Sequence, residues 1–354
     1  MVFTRTTPAR PVDMAAVFPE LAPLARAAVR LHPRPGSPSA GDSSVGGPLL
    51  WPAGEAWPHC GEAHVNTGFR RQLAEERLER RIRARRYREP DGPELTPEET
   101  AAGERNAAAR ATRLDGGGPP PSERPVPLLP VAQLYLRDVP LLATPGRADL
   151  LQVLWCPYEH GEAKPMVAVF WRTATEVRDP LVAPPEPFEA DWPGYVPEPC
   201  LLAPETVTEY PDSMELSPEL RRRLEDPEQW RTAGAAPPTP WDEYPEDYYR
   251  GALSWAPGWK VGGWAPWGRT DPYPQDCAAC GARMTPLLTI ASFEWDGDLR
   301  RDWAPAEDRE AAYADSYAGV SPAQPTQVEV GSTDNMQLYV CPADPGHPHV
   351  DLIQ

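Results

Sequence analysis

The chain has 354 residues, and 34 Lys and Arg against 52 Asp and Glu give it a formal charge of −18. Its 49 prolines and 26 glycines stay short of the roughly 25–30% at which low-complexity disorder becomes the default, while 41% apolar residues and 13 tryptophans supply a core. No apolar run approaches the ~18 residues of a membrane span, six cysteines are too few for a disulfide scaffold, and the acidic balance favours basic partners over nucleic acid.

Residues 1–39 read as an N-terminal helical segment. Pro8, Pro11 and Asp13 stand where a secretion signal needs an unbroken apolar run, so a cytoplasmic, reducing compartment is expected. A first β repeat covers 40–172 and carries a helical insertion at 65–124. Within it, Phe69–Arg88 holds nine Arg and three Glu, a local charge of +6 that leaves −24 for the rest of the chain. Pro90 ends that run, and Thr96 with Glu99 opens a second helix reaching about Leu114. Ala74, Leu78 and Ile82 form a thin apolar stripe. The insertion reads as a solvated, salt-bridge-laced helical hairpin, with a docking arm for an acidic partner or RNA as the alternative. Residues 173–253 form an acidic, proline-rich linker with one short helix. Ser217 caps it, Pro218 and Glu219 fill its first turn, and it ends near Asp226. A second β repeat fills 254–354, with its own insertion from about Asp296 to Pro325.

The repeat is legible in four matched pieces. Val45-Gly46-Gly47 answers Val261-Gly262-Gly263, and each is followed by aromatic-proline steps and then by Cys60 or Cys277. Pro127–Ala132 lies over Pro286–Ala291, both apolar runs suited to buried strands. Gln152–Pro157 lies over Gln337–Pro342, each a strand ending in Cys-Pro. Pro165–Val169 lies over Pro348–Leu352, whose alternation suits a half-buried hairpin strand. The predicted fold class is α+β and β-rich: an internal duplication of a small zinc-binding antiparallel β module, with helical insertions. The paired glycines fit tight turns with positive φ. No Walker or Gly-x-Gly-x-x-Gly pattern accompanies them to make a phosphate cradle.

Closely spaced Cys and His in a reducing compartment read first as metal ligands. Cys277-Ala-Ala-Cys280 is a knuckle that places two thiolates on one cation, and Cys341 with His347 completes a tetrahedral set suited to structural Zn2+. His347 is preferred to His349, which opens an alternating strand. A redox Cys-x-x-Cys is the competing reading, but it normally sits at a helix N-terminus after a strand. The first repeat offers Cys60 with His64 and Cys156 with His160, a two-Cys, two-His set at matched places; the alternative is two small buried thiols and two surface histidines. Cys200 is expected to be an ordinary thiol. Structural zinc would supply on the order of 10 kcal/mol of folding free energy to modules of few strands and many prolines.

The run from Gly258 to Gly297, followed by Met336–His347, resembles the YwqG-like family of bacterial proteins and, more distantly, the programmed cell death protein 2 family. The shared pattern falls on Lys260, Val261, Gly262, Gly263, Trp267, Cys277, Cys280, Leu287, Leu288 and Cys341. In the first repeat it falls on Val45, Gly46, Gly47, Cys60, Leu128, Leu129 and Cys156, with Ser44 in place of the Lys. The resemblance implies a duplicated β-rich scaffold and binding work: chaperoning of a basic ribosomal protein in the eukaryotic relatives, immunity against secreted toxins in bacterial ones.

The expected function is accordingly a non-enzymatic, zinc-stabilised interaction module for a basic protein client, with toxin immunity as an alternative. A zinc-dependent hydrolase is the third reading. It would use Cys60, His64 and Cys156 as ligands, water in the fourth position and Glu62 or Glu159 as general base. No nucleophile elbow or His-Glu-x-x-His motif supports an enzyme. Trp255, Trp259, Trp264 and Trp267 are expected to be core between the repeats, or a client groove if two or more are exposed.

Overall fold

Apolar and β-branched runs cut by proline and glycine favour short strands over long helices. In a computed structural model, which describes residues 3–65, 70–88, 94–114, 125–161, 164–297, 301–312 and 321–354, the chain builds such strands. They are β1 (Arg26–Arg30), β2 (Arg34–Pro35), β3 (Ser44–Val45), β4 (His59–Cys60), β5 (Arg71–Gln72), β6 (Val126–Pro127), β7 (Leu129–Tyr135) and β8 (Leu150–Glu159) in the first half. The second half adds β9 (Pro165–Arg172), β10 (Glu189–Ala190), β11 (Cys200–Leu201), β12 (Glu205–Glu209), β13 (Lys260–Gly262), β14 (Thr285–Ala291), β15 (Asn335–Val340) and β16 (Val350–Ile353). The helices are α1 (Met14–Val17), α2 (Leu73–Arg88), α3 (Pro97–Leu114), α4 (Pro218–Glu225), α5 (Pro227–Thr232), α6 (Pro245–Tyr248) and α7 (Arg309–Ala312). The architecture is α+β with antiparallel sheets.

Two six-stranded sheets carry the fold, ordered β12-β1-β13-β14-β15-β16 and β2-β11-β3-β7-β8-β9. Both contribute to one apolar core: Val131, Val153 and Trp155 from one sheet meet Val261, Ile290 and Leu338 from the other. Burying each such side chain stabilises by about 1.5–3 kcal/mol.

The four-strand units β3-β7-β8-β9 and β13-β14-β15-β16 match in order, sense and register. Val45 pairs with Ala132 as Val261 pairs with Leu288. A bulge follows a proline in each second strand, between Pro130 and Ala132 and between Pro286 and Leu288. Gln152 faces Gln133 as Gln337 faces Thr289, and both polar pairs are buried and hydrogen-bonded. All four glycines of the two Val-Gly-Gly turns have positive φ, as their sequence predicts. Trp51 tilts against Trp57 at 5.2 Å, and Trp267 against Tyr273 at 5.8 Å.

This register corrects two of the sequence alignments. With Gln152 and Gln337 equivalent, Pro130 matches Pro286, so Pro127–Ala132 is displaced by three residues from the expected Pro286–Ala291. Ala168 matches Val350, because they face Leu154 and Tyr339, so the closing strands shift by one.

The segments outside these two four-strand units are woven into the sheets. Residues 26–35 run antiparallel to 200–209 in a single register, with Arg26 opposite Glu209, Arg30 opposite Glu205, Arg34 opposite Leu201 and Pro35 opposite Cys200. The ribbon lends its first half to one sheet and its second half to the other. At the crossing, Leu31 N–H donates to Trp259 O and Ala203 N–H to Leu31 O, and His32 adopts a positive φ of 46°. Thus, in the expected helical segment 1–39, the described residues are helical only at Met14–Val17 and Pro19–Leu24, and the chain then becomes strand. The expected linker 173–253, read with one short helix, supplies strands and three helices, α4, α5 and α6, and the Ser217 cap of α4 accepts from Leu220 N–H at 3.2 Å as predicted. A second core gathers Met14, Phe18, Leu220, Trp230 and Tyr249.

In the insertion, Thr96 and Glu99 form the predicted capping box: Thr96 Oγ1 accepts from Glu99 N–H at 3.2 Å, and Glu99 Oε2 from Thr96 N–H at 2.7 Å. The expected apolar stripe does not dock α2. Ala74 is exposed and Leu78 half-buried, and only Ile82 of the three is buried. Leu73, Glu76 and Arg80 face inward with it. Arg80 donates to Glu76 and to the carbonyls of Val196 and Pro193. Carboxylates lie within 4 Å of Arg70, Arg71, Arg77, Arg80, Arg83 and Arg85, which makes the run an ion-paired surface element. Phe69, Pro90 and residues 115–124 lie outside the described residues, as do 298–300 and 313–320 of the second insertion.

Candidate metal centres

The first centre forms where the end of β8 meets the loop after β4. Pairing of β4 with β6 sets Cys60 opposite Val126, and Val65 N–H donates to Glu159 O at 2.9 Å, closing the loop that carries His64. Cys156 and His160 flank that β8 terminus. Cys60 Sγ lies 3.6 Å from His160 Nε2 and Cys156 Sγ 3.4 Å from His64 Nε2, and all four donor atoms lie within 4.8 Å of one another. A tetrahedral ion with bonds of about 2.3 Å to sulfur and 2.0–2.1 Å to nitrogen separates S from N by about 3.6 Å. The set therefore has the spacing a single ion requires. Cys60, Cys156 and His160 are buried and His64 is half-buried, with the His64 ring edge-on to Tyr158 at 4.8 Å.

The second centre forms at the equivalent end of β15. Cys277 N–H donates to Ala282 O and Gly281 N–H to Cys277 O, folding Cys277–Gly281 into a tight knuckle. Gly281 closes it at a φ of +72°, a conformation that favours glycine. Cys341 follows β15 directly, and His347 returns through a turn in which its N–H donates to Asp344 O. Cys277 Sγ lies 3.5 Å from His347 Nδ1 and Cys280 Sγ 3.4 Å from Cys341 Sγ, again with all four donors within 4.8 Å. Cys277 and Cys341 are buried and Cys280 is exposed.

Electrostatics separate the two centres. The Cys341 thiol is brought down to about 6, first by the N–H of Asp344 and further by His347, Cys280 and the N–H of Ala343. His347 is raised by the adjoining Cys341 and Cys277. In the first centre burial dominates: it pushes the Cys156 thiol up and holds His64 and His160 below the ordinary imidazole value. Neutral imidazoles are the form that ligates metal.

All eight predicted ligands are thus brought together in two groups of four, each able to hold a metal ion. His349 stands apart from both groups. Cys200 is buried, with Sγ 3.5 Å from Pro325 O, and burial pushes its thiol up. Of the candidate bases, Glu62 is exposed with its carboxylate 3.7 Å from His160 Nδ1, and Glu159 accepts from the Tyr195 hydroxyl at 3.3 Å. As expected of core residues, Trp255, Trp259 and Trp267 are buried, so the condition for a client groove, two or more of them exposed, is not met. Trp264 is half-buried under Arg26, whose guanidinium lies 3.4 Å from the ring centroid.

Sequence reasoning missed Asp191, which lay among the linker acids. Its carboxylate accepts from Glu159 N–H at 3.0 Å and from Arg70 Nε at 3.2 Å, while its own N–H donates to Pro157 O. It fastens the strand end between Cys156 and His160 to the base of the Arg-rich hairpin. No spacing rule reveals such a residue. A scan against protein-family models finds no match to this chain, and a search of curated proteins finds none. Among the described residues no helix is long and apolar enough to cross a membrane.

Proposed function

We propose that the protein is a non-enzymatic, zinc-stabilised interaction scaffold, built by internal duplication of one β module, that binds a basic protein client. The observation that carries this reading is the completeness of the two Cys/His sets. Each offers four protein donors at the same strand end of matching four-strand units. Four ligands leave no position for a reacting water, which is the arrangement of structural rather than catalytic zinc. Thiolate and imidazole donors select zinc over the hard, oxygen-seeking cations. The matched bulges, glycine turns and buried polar pairs support the duplication, and the likeness to the YwqG-like family on Lys260–Gly263, Cys277, Cys280 and Cys341 agrees with it. Client chemistry follows from a charge of −18, which steers basic partners in and repels acidic ones. The test is calorimetric titration with basic and acidic proteins of similar size at low and high salt. Binding of the basic set alone, weakened by salt, is expected; equal binding of both sets, or hydrolysis of a small ester or peptide that depends on Cys156, overturns the reading.

A further inference from the structure

The two centres differ in how their sulfurs are arranged. In the second, an exposed thiol, Cys280, lies 3.4 Å from a buried one, Cys341. Cys280 sits on a three-residue turn before Gly281, around which a side chain would meet nothing within 4 Å. A shift of about 1.4 Å separates this contact from a disulfide bond of about 2.05 Å. In the first centre both cysteines are buried, with Cys60 Sγ 3.6 Å from His160 Nε2 and Cys156 Sγ 3.4 Å from His64 Nε2. The second centre thus presents an exposed sulfur and the first does not.

We propose that the second centre is a peroxide-responsive release site: a hydroperoxide oxidises Cys280 and Cys341 to a disulfide and frees the metal held there, while the first centre keeps its ion. This goes beyond the scaffold reading, although the metal released is the one that reading assigns. The exposed Cys280 sulfur attacks one peroxide oxygen; the O–O bond breaks, hydroxide leaves, and Cys280 becomes a sulfenic acid. Cys341 sulfur then attacks the Cys280 sulfur, the S–S bond forms, the S–O bond breaks and a second hydroxide departs. Two solvent protons convert the hydroxides to water. The two thiolates together lose two electrons, and the peroxide gains them. Cys277 and His347 alone no longer complete a tetrahedron, so the ion dissociates.

The full chain, with its zinc content measured first, is treated with hydrogen peroxide while a chromophoric chelator reports free zinc and peptide mapping reports cross-links. The expected result is release of one zinc per chain with a Cys280–Cys341 bond, at least about tenfold faster than any loss of free Cys60, Cys156 or Cys200. Cys200→Ser, outside both centres, leaves that release unchanged. A first bond between Cys277 and Cys280, simultaneous loss of both ions, or retention of both under excess peroxide overturns the proposal. A chain that holds no zinc at the start contradicts the scaffold reading by itself, and the same mapping still decides whether Cys280 and Cys341 are the first pair to join.

Discussion

Lys260 Nζ donates to both carboxylate oxygens of Glu209, at 2.7 and 2.8 Å, and neither side chain is exposed. The lysine also donates to Trp264 O, and the carboxylate accepts from the N–H groups of Ala256 and Trp264. This pair ties the ribbon strand β12 to the start of β13 and gives the Lys of the Lys-Val-Gly-Gly motif a structural role. Removing one partner leaves a buried charge uncompensated, so Lys260→Met is expected to cost about 3–5 kcal/mol, while Lys260→Met with Glu209→Leu recovers much of the loss. Urea denaturation of the three proteins measures it; equal stabilities for single and double variants would show that the pair is not coupled.

The glycines of the second unit separate shape from space. At Gly263 (φ +69°) an added Cβ would strike Glu209 Oε2 and lie 2.7 Å from Ala28 Cβ, whereas at Gly281 (φ +72°) it would meet nothing. Gly281→Ala should therefore cost only the roughly 1–2 kcal/mol of left-handed backbone, and Gly263→Ala clearly more, because it also displaces the buried carboxylate. Thermal melts rank the two; the opposite order would refute the placement of Glu209 against this turn.

His32 predicts an acid-labile fold. Burial, reinforced by the charge of Arg30, lowers it from 6.5 to about 4, with Nε2–H donating to Glu205 at 3.1 Å. The unfolded chain then binds a proton that the folded chain refuses as pH falls from about 6.5 to about 4, so stability is complete above that window and declines through it by about 3 kcal/mol. Glu205 is lowered to about 2: burial opposes this, and hydrogen bonds from His32 and Thr7 outweigh it. Its contribution is lost at still lower pH, below about 4.5. Melting temperature followed against pH should show a slope between pH 6.5 and 4 that His32→Gln flattens. An unchanged slope in that variant would assign the acid sensitivity elsewhere.

Arg80 anchors the insertion. It is buried, bonded to Glu76 and to two carbonyls of the 193–196 turn, so Arg80→Ala removes all three bonds while Arg71 still holds Glu76, and should destabilise by about 2–3 kcal/mol. Hydrogen exchange should rise across Leu73–Arg88 while β14 and β15 stay protected. Uniform loss of protection would mean that the hairpin is integral to the core.

What the sequence disclosed and what it hid divide along physical lines. Ligand sets, caps and glycine turns are local chemistry with fixed spacing, and Cys277–Cys280, Thr96–Glu99, Ser217 and Gly262–Gly263 were legible for that reason. The register of β7 on β14 was not, because Pro-Leu-Leu and Pro-Val-Ala are equally apolar, and only the bulge after Pro130 shows which proline matches Pro286. Strands β1 and β12 were hidden by their charges: Arg30 and Glu209 are fully buried, a cost that only long-range partners on other strands offset. The same holds for α2, whose docking face contains Glu76 and Arg80 where an apolar stripe was expected.

The central claim is that the two Cys/His groups hold structural metal. Native mass spectrometry of the purified chain, before and after denaturation, tests it most directly. Two zinc ions per chain are predicted, falling to one in Cys156→Ser and to one in Cys341→Ser, with the remaining ion retained in the complementary centre. A fully folded chain that carries no metal, with all six cysteines modifiable, would contradict it.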